Sequence, residues 1–146
     1  MEHKKECVGC ALANRLEPVY VVYEDDYVSC FLDHEPFNEG HALILPKRHV
    51  VEADELDIDT ASAIMNASIL LSKALKLIYK PDGITIIQNG GIFNELTHYH
   101  MHVVPRYENQ QFGNFYSDEP QDFSMGEGNL LETKNMLKEA IQKLKK

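Results

Sequence analysis

The sequence predicts an α+β fold: an antiparallel sheet with helices on one face. Three observations predict it. The apolar segments run in the order strand, strand, strand, helix, strand, strand, helix. The first two strands stand a short turn apart, as in a hairpin, which favours antiparallel pairing. The longest periodic stretch repeats at steps of three and four, the spacing of a helix with one apolar face.

Each element follows from its residues. Val19-Tyr20-Val21-Val22-Tyr23 is rich in β-branched and aromatic side chains and reads as a strand. Asp25-Asp26 supplies a turn, and residues 27–32 form the partner strand. Pro36, Asn38 and Gly40 mark a loop before a third strand, His41-Ala42-Leu43-Ile44-Leu45, stopped by Pro46. Asp59 or Thr60 caps a helix to about Lys80, with Ala61, Ile64, Ser68, Leu71, Leu75 and Ile78 on its apolar face. Pro81-Asp82-Gly83 ends it. Ile84-Thr85-Ile86-Ile87 is a fourth strand, followed by Asn89-Gly90-Gly91, and residues 98–104 form a fifth, stopped by Pro105. Residues 106–127 are polar and aromatic without period, long for a structureless loop and so a candidate functional segment. Asn129 with Glu132 reads as a capping box, after which Leu130, Leu137, Ile141 and Leu144 line a terminal helix.

A length of 146 residues fits one domain, and a 44% hydrophobic fraction suffices for its core. The domain is read as residues 1–146, with a core at 7–106 and a C-terminal extension at 107–146. No run approaches the roughly 18 consecutive apolar residues of a membrane span. The N-terminal residues lead into no signal-peptide core, so a cytoplasmic protein without a membrane partner is expected. The formal net charge of −9 argues against a general nucleic-acid coat, which needs a basic face. A small nucleotide remains compatible, because Lys47, Arg48 and Arg106 can serve one phosphate group. Three cysteines without an export signal argue against a disulfide framework. Cys30, inside an apolar run, is read as inert core.

Three of the seven histidines fall in His98-Tyr99-His100-Met101-His102. On a strand, residues at i, i+2 and i+4 share a face, so the three imidazoles point one way while Tyr99, Met101 and Val103 point into the core. A stripe of imidazoles does not build stability and implies a site. Two chemistries suit it: metal binding, or nucleophilic catalysis with neighbours that fix the tautomer and donate to an anion. Cys7-Val8-Gly9-Cys10 is a common zinc half-site, or a pair of free thiols in a short turn; it lacks the preceding strand of a redox pair.

Residues 98–104, followed by Pro105-Arg106, resemble the signature of the histidine-triad (HIT) family: His, apolar, His, apolar, His, two apolars. Residues 40–49 resemble the family's earlier strand, which ends in Pro-Lys-x-His. Asn89-Gly90-Gly91 and Phe31-Leu32-Asp33 fall where the family has an Asn-Gly loop and a ribose-binding aspartate. The resemblance implies a five-stranded antiparallel sheet with a long central helix and a C-terminal helix, a homodimer, and hydrolysis or transfer at the α-phosphate of nucleoside phosphoramidates or dinucleoside polyphosphates. It makes His100 the nucleophile, His102 a donor to the phosphate, and His41 a supporting histidine. Asp33 would hold the ribose and Asn89 the phosphate or sugar; His34, next to that aspartate, is read as lining the base pocket, and Arg106, directly after the triad strand, as a phosphate ligand or a salt-bridge partner. It also implies a structural zinc on Cys7, Cys10, His49 and His98. The chain departs from the family where Gly-Gln precedes the triad: here Phe93-Asn94-Glu95 stands, and Asn94 would supply the amide one methylene short. A nucleotide-binding regulator with little turnover is the alternative function. A catalytic metal on all three triad histidines is disfavoured, because the cysteine pair and His49 complete a site that uses His98 alone.

Overall fold

The computed structural model describes residues 7–116 and 129–145. Helix α1 (Val8–Ala13) precedes strands β1 (Val21–Glu24), β2 (Val28–Leu32) and β3 (Ala42–Pro46). Helix α2 (Ile58–Tyr79), strands β4 (Gly83–Gln88) and β5 (Met101–Arg106), a short 3-10 helix (Phe112–Tyr116) and helix α3 (Leu130–Leu144) follow. The sheet is five-stranded in the order β1-β2-β3-β5-β4, and every neighbouring pair is antiparallel.

The alternation of side chains divides the sheet by chemistry. One face carries Val22, Val28, Cys30, Leu32, Ala42, Ile44, Tyr99, Met101 and Val103, packed under α2 and α3. The other carries a smaller apolar cluster of Val21, Phe31, Leu43 and Leu45 with Ala13 of α1. The histidines belong to this second face. By length and composition α2 would pass for a membrane span; its stripe of Ala63, Ile64, Ala67, Leu71, Ala74 and Leu75 is instead buried in the core. Burial pushes the Cys30 thiol well above its ordinary pKa, which leaves it inert as read from sequence.

Several boundaries differ from the sequence reading. Helix α2 begins one turn early, because Asp57 is its cap: one carboxylate oxygen accepts from the Thr60 N–H at 3.1 Å and the other from the Thr60 hydroxyl at 2.7 Å. Ile58, in its first turn, faces solvent, so the apolar period does not reveal that turn. Ala61 is exposed and Ala63 takes its place in the stripe. The Asn129 cap is present, but its oxygen accepts from the N–H of Leu131. Helix α1 was not expected as a helix. Strand β5 begins at Met101, so His98 and His100 precede the regular ladder, and it runs through Pro105. Pro105 is tolerated because β3 pairs with β5 only over Met101 to Val103, which leaves no ladder partner in want of its missing N–H on that side. Of the aromatic-polar stretch, residues 117–128 lie outside the described residues.

Candidate active site and metal centre

The hydrogen bonds of the histidines fix which nitrogen of each carries a proton. His100 Nδ1 lies 2.9 Å from the carbonyl oxygen of His98. A carbonyl only accepts, so in the neutral ring Nδ1 carries the proton and Nε2 the lone pair. His41 Nδ1 accepts from the N–H of Phe37 at 2.9 Å, which puts the proton of neutral His41 on Nε2. That Nε2–H donates to His102 Nδ1 at 3.0 Å. His102 then holds its own proton on Nε2. Burial drives the pKa of both His41 and His102 down to about 3, the charge of neighbouring histidines adding to it at His102, so both imidazoles are neutral at pH 7. The His100 and His102 rings stand edge to face, 5.1 Å between centroids. One ring therefore presents a lone pair beside another that presents a donor.

Asp33 Oδ2 lies 3.5 Å from His41 Nε2. Its Oδ1 accepts from the Glu35 N–H, and burial raises its carboxyl above the usual carboxylate range. The ligand atoms of Asp33, His41 and His102 lie within 4.8 Å of one another. The Phe37 N–H nevertheless disqualifies them as a metal site: it takes the Nδ1 lone pair of His41, and Nε2 keeps a proton where an ion would sit.

The second cluster has the opposite character. Cys7 Sγ and Cys10 Sγ each lie 3.5 Å from His98 Nδ1, and Cys10 Sγ lies 3.2 Å from His49 Nδ1. All four ligand atoms fall within 4.8 Å of one another. His98 Nε2–H donates to the Pro46 carbonyl at 2.8 Å, which turns the Nδ1 lone pair toward the thiols. Burial lowers its pKa to about 4, keeping it neutral as a ligand must be. Four groups that can hold a metal ion thus converge, with α1 packed over them. Its Gly9 is required there, because a Cβ would lie 2.2 Å from His98 Cβ.

The remaining candidates are less central. His34 is exposed, its ring edge-on to Tyr20 at 6.4 Å, and it lines a groove of about 600 Å³ with Cys7, Val8, Ala11, Leu12, Glu17 and Pro18. Asn89 directly follows β4 and is half-buried. Arg106 lies over the Phe112 ring at 4.0 Å and donates to the Thr85 hydroxyl, so much of its guanidinium is committed. Asn94 is buried, and its amide donates to the carbonyls of Val51 and His98. Lys47 and Arg48 pair with Glu24 and Asp57.

Sequence reasoning missed several residues that hold the site. Phe115 packs against His41 and His102, at 5.7 and 5.3 Å between centroids, and stacks on Phe112. Asn38 and Gln110 exchange reciprocal amide bonds at 2.8 and 2.7 Å, and Asn38 also donates to Pro105 O. Glu52 accepts from the Gly91 N–H. The aromatic composition of 106–127 signalled the first of these; nothing local signals the others.

A sheet of this order with three alternate histidines defines a histidine-triad protein. A model of the HIT domain matches residues 15–109, and the chain belongs to that family. It is 37% identical over 106 residues to an uncharacterised HIT-like protein of Methanocaldococcus jannaschii, covering 70% of this chain and 80% of the relative. It is 32% identical over 102 residues to the adenosine 5'-monophosphoramidase HNT1 of Saccharomyces cerevisiae, covering 68% of this chain and 62% of that one. The crystal structure of a Zn-bound histidine triad family protein from Mycobacterium smegmatis matches it with a TM-score of 0.78 at 27% identity, covering 96% of both chains. The family thus includes hydrolases, and it supports nucleotide hydrolysis in general for this chain.

Proposed function

We propose that this protein hydrolyses or transfers nucleoside monophosphate groups through a covalent nucleotidyl-His100 intermediate. The observation that carries the reading is the tautomer of His100: its Nδ1–H is given to the His98 carbonyl, and its Nε2 lone pair is left for attack. Nε2 attacks the α-phosphorus, a P–N bond forms, and the bond to the leaving group breaks. The leaving group departs with the electron pair, as an anion or, where it is an amine, after taking a proton from solvent. Water then attacks the same phosphorus, the P–N bond breaks with its electron pair returning to His100 Nε2, water's proton passes to solvent, and the monophosphate leaves. One difficult displacement becomes two easier ones.

His102 Nε2–H donates to a non-bridging oxygen as charge grows on it, and His41 holds His102 in the tautomer that can donate. Asp33 Oδ2 would accept from a ribose hydroxyl, His34 borders a groove that would take the base, and Asn89 would bind near the phosphate or sugar, while Arg106 is held by Phe112 and Thr85. Cys7, Cys10, His49 and His98 would hold a structural zinc. Zn–S and Zn–N bonds of about 2.3 and 2.0 Å at tetrahedral angles put sulfur and nitrogen about 3.5 Å apart. The sulfur–nitrogen spacings of 3.2 to 3.5 Å fit that requirement. Held in such a cluster, His98 would keep its carbonyl turned toward His100 Nδ1. The protein is a homodimer in this reading, supported by the exposed Ile86 on the open edge strand β4.

The test is product and intact-mass analysis after mixing with adenosine phosphoramidate and diadenosine polyphosphates. Release of AMP with a transient adenylyl adduct is expected for the wild type, and neither for His100→Ala. Saturable nucleotide binding without adduct or turnover would overturn the reading in favour of a binding protein.

A further inference from the structure

We propose that Asn94 is a positioning residue for the nucleophile, acting through the carbonyl of His98. The proposal rests on His100 being the nucleophile. It gives Asn94 a different task from touching the leaving group.

The carbonyl oxygen of His98 receives two donors. One is His100 Nδ1–H at 2.9 Å, the other the Asn94 Nδ2–H at 3.3 Å. A carbonyl has two lone pairs, so both bonds form together. The direction of this carbonyl decides the state of His100. While it faces the ring, only the tautomer with the proton on Nδ1 is bonded, and Nε2 is a nucleophile. If the 98–99 peptide rocks away, Nδ1 loses its acceptor and the other tautomer, with Nε2 protonated and unable to attack, becomes accessible.

Asn94 is built to prevent that motion. It is buried, and each end of its amide is engaged. The second N–H reaches the Val51 carbonyl at 3.4 Å, and the side-chain oxygen accepts from the Leu96 N–H at 3.0 Å. The amide is thus a strut between the segment after His49 and the segment before His100. Its neighbours run in parallel. The Tyr99 N–H donates to the Val50 carbonyl at 2.6 Å, and the Gly91 N–H donates to the Glu52 carboxylate at 3.1 Å. Residues 50–52 therefore hold residues 91–99 at three points. Only the Asn94 strut bonds the oxygen that His100 uses.

The shortened side chain thereby acquires a purpose. An amide held between two backbone carbonyls has no N–H left for a substrate, so at this position the chain exchanges a substrate contact for a fixed nucleophile.

The experiment compares wild type, Asn94→Asp and Asn94→Ala, each checked for fold by circular dichroism and for zinc content. The aspartate keeps an acceptor for Leu96 but turns a carboxylate toward two carbonyls; the alanine removes every bond. Steady-state kinetics with adenosine phosphoramidate and the 15N shifts of the His100 ring are both read. The expected result is a kcat lowered about 10- to 100-fold with KM nearly unchanged, since a displaced reacting group loses rate on that scale. The His100 nitrogens should move from a pure Nδ1–H tautomer to a mixture. Unchanged kcat with an unchanged tautomer in both variants would overturn the proposal, as would a raised KM at constant kcat, which marks a substrate contact. The ring shifts do not depend on turnover. A tautomer that changes with Asn94 in a protein that never forms an adduct would support the positioning role and sink the nucleophile reading instead.

Discussion

Gly9 and His98 touch backbone to side chain: a Cβ on Gly9 would stand 2.2 Å from His98 Cβ and 2.4 Å from its Cγ. These are the root atoms of the histidine, which cannot swing aside as a chain end can. Gly9→Ala must therefore push α1 off the metal cluster. The expected loss is about 1 to 3 kcal/mol of stability, as for other overpacked sites. A weakened zinc affinity should accompany it, read by competition with a chromophoric chelator. Full zinc affinity in Gly9→Ala would show that α1 does not need this contact.

Metal removal should distinguish the three thiols. Cys7 and Cys10 are ligand candidates, whereas Cys30 is fully buried on the helix side of the sheet. In the zinc-loaded protein no thiol should react quickly with a disulfide reagent. After chelation two should, with Cys30 following only on unfolding. Amide exchange over residues 8–13 should rise in the same step, since α1 has only six residues and leans on the cluster.

Acid should destabilise the fold through His41. Its folded pKa, about 3, lies below the ordinary 6.5 because burial disfavours the cation. Between those values the unfolded chain binds the extra proton, so stability rises with pH. It is fully present above about 6.5 and is lost as pH falls toward 3, by up to about 1.4 kcal/mol per pH unit from this group. Urea midpoints measured from pH 7.5 to 5 in excess zinc should fall more steeply for wild type than for His41→Phe. Equal slopes would remove His41 from the account.

Asn38 is buried beneath the aromatic segment and bonds Gln110 and the Pro105 carbonyl. Asn38→Ala leaves both partners without their bonds, at a cost of about 1 to 3 kcal/mol. The consequence should be local as well. Hydrogen exchange over residues 110–116 should quicken, and Phe115 should loosen from His41 and His102, lowering kcat.

The fold was legible where side chains alternate or repeat. The alternation of His98, Tyr99, His100, Met101 and His102 correctly separates a core face from a chemical one, even though only Met101 and His102 of these five lie in the regular ladder. The four ligand candidates are brought together as the resemblance implied. What escaped is what local pattern does not carry. The exposed Ile58 hides the first turn of α2. Asn38 finds Gln110 across 72 positions, and Glu52 finds Gly91 across 39. Asn94 reads as a shortened substrate ligand until its bonds to Val51 and His98 are seen. In each case the deciding partner is distant in sequence and chosen by tertiary packing.

The cluster that joins Cys7 to His98 spans 91 positions. Synthesis reaches the thiols before the imidazoles. At about 5 to 20 residues per second, the growing chain carries both cysteines for roughly 4 to 18 seconds before the last imidazole of the cluster is made. During that interval the thiols have no complete cage and are open to oxidation or to a premature ion. The thiols are therefore translated well before the last imidazole of their cluster, and conditions during synthesis bear on how many molecules reach the finished state.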